Sequence, residues 1–156
     1  MNFPPESILR PVMHMNNSQE LLSSVLKTTQ MGQTGIRSVL DAGSHPELCQ
    51  ALEAQLQEYD AIESEVHAIA SQRGWDLEEL EPAVRFFSDR MVRFKLPRGN
   101  CDSKIADLMI QSNTKAMIRG LRQLHQYPRQ DDRISAVCQK LVDCQRAGIQ
   151  NLQFFL

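Results

Sequence analysis

Four long stretches of this chain set apolar residues three and four positions apart, and each carries Gln, Ser, Thr or Cys near its middle. That period belongs to α-helices with one face turned toward a core. The polar middles limit what such helices can enclose, because buried amides and hydroxyls persist only where they find partners. Alternation of β-branched residues with period two is nowhere sustained, so no strand competes and the expected fold is all-α.

The first stripe runs Leu22, Leu26, Thr29, Gln33, Ile36, Leu40, with Asn17 or Ser18 to cap the helix and Glu20 in the first turn, where the helix dipole favours an anion. Gly43 ends it, and Ser44-His45-Pro46-Glu47 opens the next helix with a cap and a first-turn proline. The second stripe is the clearest: Leu48, Leu52, Gln55, Tyr59, Ile62, Val66, Ile69, closed by Arg73 and Gly74. Val84, Phe87, Met91 and Phe94 then share one face of a shorter helix, stopped by Pro97 and Gly99. A third long stripe holds Ile105, Leu108, Met109, Ser112, Ala116, Gly120 and Leu124, behind a cap at Asp102 or Ser103. The last, capped by Asp131 or Asp132, holds Ile134, Cys138, Leu141, Gln145, Gly148, Leu152 and Phe155.

These signals place helices at about 18–42, 46–73, 82–95, 103–127 and 132–155 within a single bundle domain over 15–156. Residues 1–14 hold Pro4, Pro5 and Pro11 without a sustained period and read as an extended N-terminal tail, or as an extension upstream of a start at Met15. The short helix, about 21 Å long at 1.5 Å per residue, can carry the chain back from the end of the second helix. The second and third long helices are then parallel, and two antiparallel hairpins are joined by a crossover. That is the ferritin-like connectivity.

Composition narrows the function. The 156 residues are one domain's worth, and 17 basic against 19 acidic residues leave a net charge of −2 with no cationic excess for nucleic acid. No apolar run approaches the roughly 18 residues of a membrane span, and MNFPPESILR lacks the pattern of a signal peptide. A cytoplasmic protein is expected, with Cys49, Cys101, Cys138 and Cys144 as reduced thiols. Cys138 and Cys144, six apart on one helix and so about 600° of rotation apart, point in different directions.

The order of elements, the tyrosine of QLQEYDAIESEVH, the segment IADLMIQSNTKAMI and the glycines Gly32, Gly35, Gly120 and Gly148 resemble a group of bacterial ferritin-like four-helix-bundle proteins of unassigned function. The likeness covers about Ser18 to Leu156. It implies a fold more than an activity.

A carboxylate-bridged di-iron site needs a Glu from each of two helices and Glu-x-x-His from each of the others. Here the first helix has no carboxylate between Glu20 and Asp41, leaving Gln30 or Gln33 at mid-helix. The second has Glu58 three residues before Ala61, the third has Gln111, Ser112 and Lys115, and the fourth has Asp143 three residues before Arg146. Six ligands cannot be assembled, and the middle reads instead as a polar core layer of Thr29, Gln33, Gln55, Tyr59, Ser112 and Gln145. Glu63, His67 and His125 fall at one end of the bundle, where a metal cluster is conceivable; dipole complementarity at helix ends explains the same residues more simply.

The glycines each cost a helix about 0.8 to 1 kcal/mol relative to Ala. Close helix approach offsets that cost, or else space for a ligand beside the polar layer. Nothing matches G-x-S-x-G, G-x-x-x-x-G-K or H-E-x-x-H. The expectation is a non-enzymatic bundle with no cofactor, acting through a protein partner or self-association on its apolar faces. The alternatives are a metal-binding ferritin-like oxidoreductase or storage protein, and a small-molecule carrier whose pocket involves Tyr59 and the glycines.

Overall fold

The computed structural model describes residues 6–41, 45–81, 102–126 and 131–156, with side chains from residue 17 onward. The expected short helix at 82–95, with Phe86, Phe87, Met91 and Phe94, lies outside the described residues, as does the Gly43 cap. Among the described residues there are four long helices: α1 (Glu6–Leu40), α2 (Pro46–Arg73), α3 (Asp102–Gln126) and α4 (Asp132–Leu152), the last followed by a 3-10 turn over Gln153–Phe155. Among the described residues there is no strand, and no helix is long and apolar enough to cross a membrane.

The helix boundaries follow local chemistry. Pro46 opens α2, where its missing N–H costs nothing. Gly74 closes it at φ 66°, the left-handed conformation that glycine adopts without strain. The Asp131 carboxylate accepts from the Arg133 and Ile134 N–H groups and caps α4.

One boundary differs from expectation. α1 begins at Glu6, not near Ser18, so residues 6–14 are helical and not an extended tail. A proline removes one hydrogen bond from a helix interior and kinks it, but Pro11 stands between residues with no further breaker up to Gly32. Ser18, buried at 6 % exposure, lies inside the helix and does not cap its end.

Cross-helix contacts give the topology. Gln33 reaches Asp60 at 2.8 Å and Gln30 reaches Glu63 at 3.3 Å, so α1 and α2 are antiparallel. Lys140 meets Glu65 at 2.8 Å while Arg133 meets Gln72, which sets α4 antiparallel to α2. Gln123 donates to Ser24 across α3 and α1. At the other end the His45 N–H and Nδ1 lie 3.2 and 2.6 Å from the Asp102 carboxylate, tying the starts of α2 and α3 together. These two helices are therefore parallel. α3 packs chiefly on α4 and only lightly on α1.

Past Gly74 the chain turns back along α1. Gln19 donates to the Asp76 carbonyl at 3.1 Å, the Glu78 N–H to Ser23 Oγ at 3.3 Å, and the Leu80 N–H to Gln30 Oε1 at 2.8 Å. Lys27 pairs with Glu78 at 2.6 Å. This strap covers α1 outside its core face, so Ser23 and Gln30 are buried along with the expected Leu22 and Leu26. Leu22, Leu26, Ile36, Leu48, Leu52, Ile69, Ile105, Ile134 and Leu152 fill the interior. Each such side chain contributes about 1.5 to 3 kcal/mol by leaving water.

Candidate functional site

The middle of the bundle is polar and neutral. Tyr59 sits one turn after Gln55 on the buried face of α2, with both side chains turned toward α3. Gln55 Nε2 donates to Asn113 Oδ1 at 2.9 Å and to the Tyr59 hydroxyl at 3.2 Å, and that hydroxyl donates to the same Oδ1 at 3.4 Å. Gln145, fully buried on α4, lies beside the Tyr59 hydroxyl without closing a hydrogen bond through its own amide. Burial holds the Tyr59 phenol well above its ordinary value of 10.0, with the neighbouring Cys144 thiol adding to the rise. Every group here is uncharged at neutral pH.

The layer expected from sequence is thus partly regrouped. Gln55, Tyr59 and Gln145 share the centre, but Ser112 is exposed and the buried polar residue of α3 is Asn113. A helix turns about 100° per residue, and the tighter packing of α3 on α4 selects the face holding Ala106, Met109 and Asn113. Thr29 and Gln33 are buried yet bonded elsewhere: the Thr29 hydroxyl donates to the Val25 carbonyl at 2.7 Å, and Gln33 reaches outward to Asp60. Asn113 carries no apolar-stripe signal, so the helical period does not single it out.

The end cluster does not assemble. Glu63 accepts from Gln30, His67 Nε2 lies 3.7 Å from Glu79 on the strap, and His125 is exposed in the last turn of α3. Among the described residues no three of His, Cys, Asp and Glu gather closely enough to hold a metal ion. Nor does the bundle centre fit a carboxylate-bridged di-iron pair. Its polar groups are three primary amides and a phenol that keeps its proton, whereas such a site needs carboxylates from all four helices. Glu58, Asp107 and Asp143 are all exposed.

Cys144 borders this centre and Cys138 lies further toward the start of α4, 3 and 4 % exposed. Burial pushes the Cys138 thiol up to about 12, and burial with the nearby Glu58 carboxylate raises Cys144 in the same direction. A thiol that holds its proton is a poor nucleophile. Both cysteines are therefore expected to stay unlabelled by an aromatic disulfide reagent at neutral pH until denaturant is added. Labelling of either in the folded protein at the unfolded rate would contradict this placement.

Beside the polar centre lies a cleft of about 240 Å³ between α1 and α3, just where their packing is light. Tyr59 and Asn113 close its inner side, Met31, Leu80, Leu108, Met109 and Ala116 form apolar walls, and the exposed Lys115 and Arg119 stand at its mouth. The two glycines of α1 play different parts. A Cβ on Gly32 would stand 2.6 Å from the Tyr59 ring, so this glycine lets the ring pass across the helix. A Cβ on Gly35 meets nothing within 4 Å, because it projects into open cleft. Gly120 and Gly148 instead face Val142 and the Gln55–Asn113 pair, where they permit close helix approach.

Comparison of the chain with family models, with curated proteins and with solved structures gives no match.

Proposed function

We propose that this chain is a ferritin-like helical bundle without a di-iron centre that acts by binding and not by catalysis, with the α1/α3 cleft as its binding surface. Parallel α2 and α3 within a ring of antiparallel neighbours support the ferritin-like reading. The observation that carries the functional reading is the neutral centre. Where relatives of that fold hold iron between carboxylates, this chain joins Gln55, Tyr59 and Asn113 to one another. Such a network fixes helix register and leaves no group poised for acid–base or redox work.

Metal analysis of purified protein after dialysis tests this reading. Substoichiometric iron, manganese and zinc are expected, with no oxidation of added ferrous iron above the buffer rate. Retention of about one or two equivalents, the content of a mono- or di-metal bundle, would overturn it in favour of a metal-dependent oxidoreductase or store. Self-association is a second reading, favoured by Phe154 and Leu156, which are 88 and 63 % exposed. Light scattering separates the two: a dimer mass that falls to a monomer on Phe154→Ser supports self-association through this end of the molecule, and a monomeric parent protein removes it.

A further inference from the structure

We infer that the α1/α3 cleft takes the tail of an anionic amphiphile, a medium-chain carboxylate, with its head group held by Lys115 and Arg119. The inference rests on the reading of this cleft as the binding surface, and adds the chemistry of what enters it. The cleft is mainly apolar within, as an alkyl chain requires. Its 240 Å³ holds about eight groups the size of a water molecule, hence a tail of about that many carbons. Shape alone would admit many apolar molecules.

Charge at the mouth selects among them. Lys115 and Arg119 lie one turn apart on α3, both exposed, and among the described residues no carboxylate lines the cleft. Neither cation is in an ion pair among the described residues, while Lys27, Arg73, Lys140 and Arg146 each pair with an acid. In a chain of net charge −2, two adjacent cations with no acidic partner among the described residues make the lip of this apolar cleft locally basic. A carboxylate offers two oxygens to such a pair, and an amphiphile carrying one buries its tail at the same time. Cationic amphiphiles would meet repulsion at the same place.

Gly35 supplies the decisive variant. Its missing side chain is part of the space the tail would fill, and any Cβ there has room. Gly35→Leu should therefore block the cleft without disturbing the bundle, since leucine is also the better helix former. Calorimetric titration of the full chain with octanoate, octanol and octylamine reads the outcome, with circular dichroism to confirm that each variant is folded.

The parent protein is expected to bind octanoate saturably, octanol about tenfold more weakly, and octylamine not at all; a factor of that size is what losing hydrogen bonds to a charged group produces. Lys115→Glu with Arg119→Glu should remove the preference for octanoate and leave octanol unchanged. Gly35→Leu should abolish both. Failure of the parent protein to bind octanoate below its micellar concentration overturns the proposal, as does undiminished binding in Gly35→Leu. Equal binding of octanoate and octanol overturns the head-group assignment, and a dimer in which a second copy covers the cleft overturns the ligand. None of these outcomes depends on metal content, so the proposal and the metal-free reading can fail separately.

Discussion

Truncating Tyr59 to alanine is expected to cost about 3 to 5 kcal/mol of stability, the range for removing a buried aromatic side chain, and to lower the urea midpoint accordingly. The ring is 2 % exposed and lies against the bare backbone of α1 at Gly32. Its loss would open the polar centre into the neighbouring cleft, which Tyr59 now lines from within. Collapse cannot close such a gap, because Gly32 and Gly35 carry no side chains to move inward and α3 is anchored on α4. The hydroxyl matters less. Its bonds at 3.2 and 3.4 Å are long, and Gln55 still reaches Asn113 without it, so Tyr59→Phe is expected to cost about 1 kcal/mol. Equal losses for the two variants would show that the hydroxyl network, and not the ring, holds the centre together.

The same ring explains which parts of the molecule could be read from sequence. All seven residues of the α2 stripe are buried, because α2 is flanked by α1 and α4 and exposes a single outer face, so its burial follows the helical period alone. The α4 stripe from Ile134 to Leu152 holds for the same reason. On α1 the buried surface is wider than the apolar stripe. Residues 75–81 cover its far side through main-chain bonds to Ser23 and Gln30, and polar residues buried under an irregular strap leave no periodic trace. On α3, apolar residues occupy two adjoining faces, and only the relative closeness of α4 over α1 decides between Ser112 and Asn113.

The candidate site was half legible for a related reason. Tyr59 and the α1 glycines stand out in sequence as costs in need of an explanation, and that suffices to suggest a pocket. But Gly32 and Gly35, three residues apart and identical in composition, do opposite things: one admits an aromatic ring and the other leaves a hole. The difference lies in where the ring crosses α1, which depends on the axial register of α1 against α2. Lys115 and Arg119 share a helix face by the helical period, but only the fold sets that face at the lip of an apolar cleft.

The polar centre also makes the fold sensitive to base. Cys138, Cys144 and Tyr59 all hold their protons more tightly in the native state than in the unfolded chain, chiefly because burial penalises their charged forms. For a group whose pKa is raised by folding, its contribution to stability is intact below the unfolded value and is lost as pH climbs toward the folded one. The loss starts near pH 9, the ordinary thiol value, for both cysteines, and near pH 10 for the phenol. Each group removes about 1.4 kcal/mol per pH unit over its window. Two thiols and then a phenol together exceed about 5 kcal/mol by pH 11, comparable with the whole stability of a small domain. Cooperative loss of helix is therefore expected between about pH 10 and 12, with stability flat from pH 7 to 8.5 as far as these three groups are concerned. The slope distinguishes this cause from general repulsion at high pH. With both cysteines replaced by valine, the fall in urea-derived stability between pH 9 and 10 should largely vanish, whatever the variant's stability at pH 7. An unchanged slope in that double variant would mean that the thiols are not the groups that release their protons on unfolding.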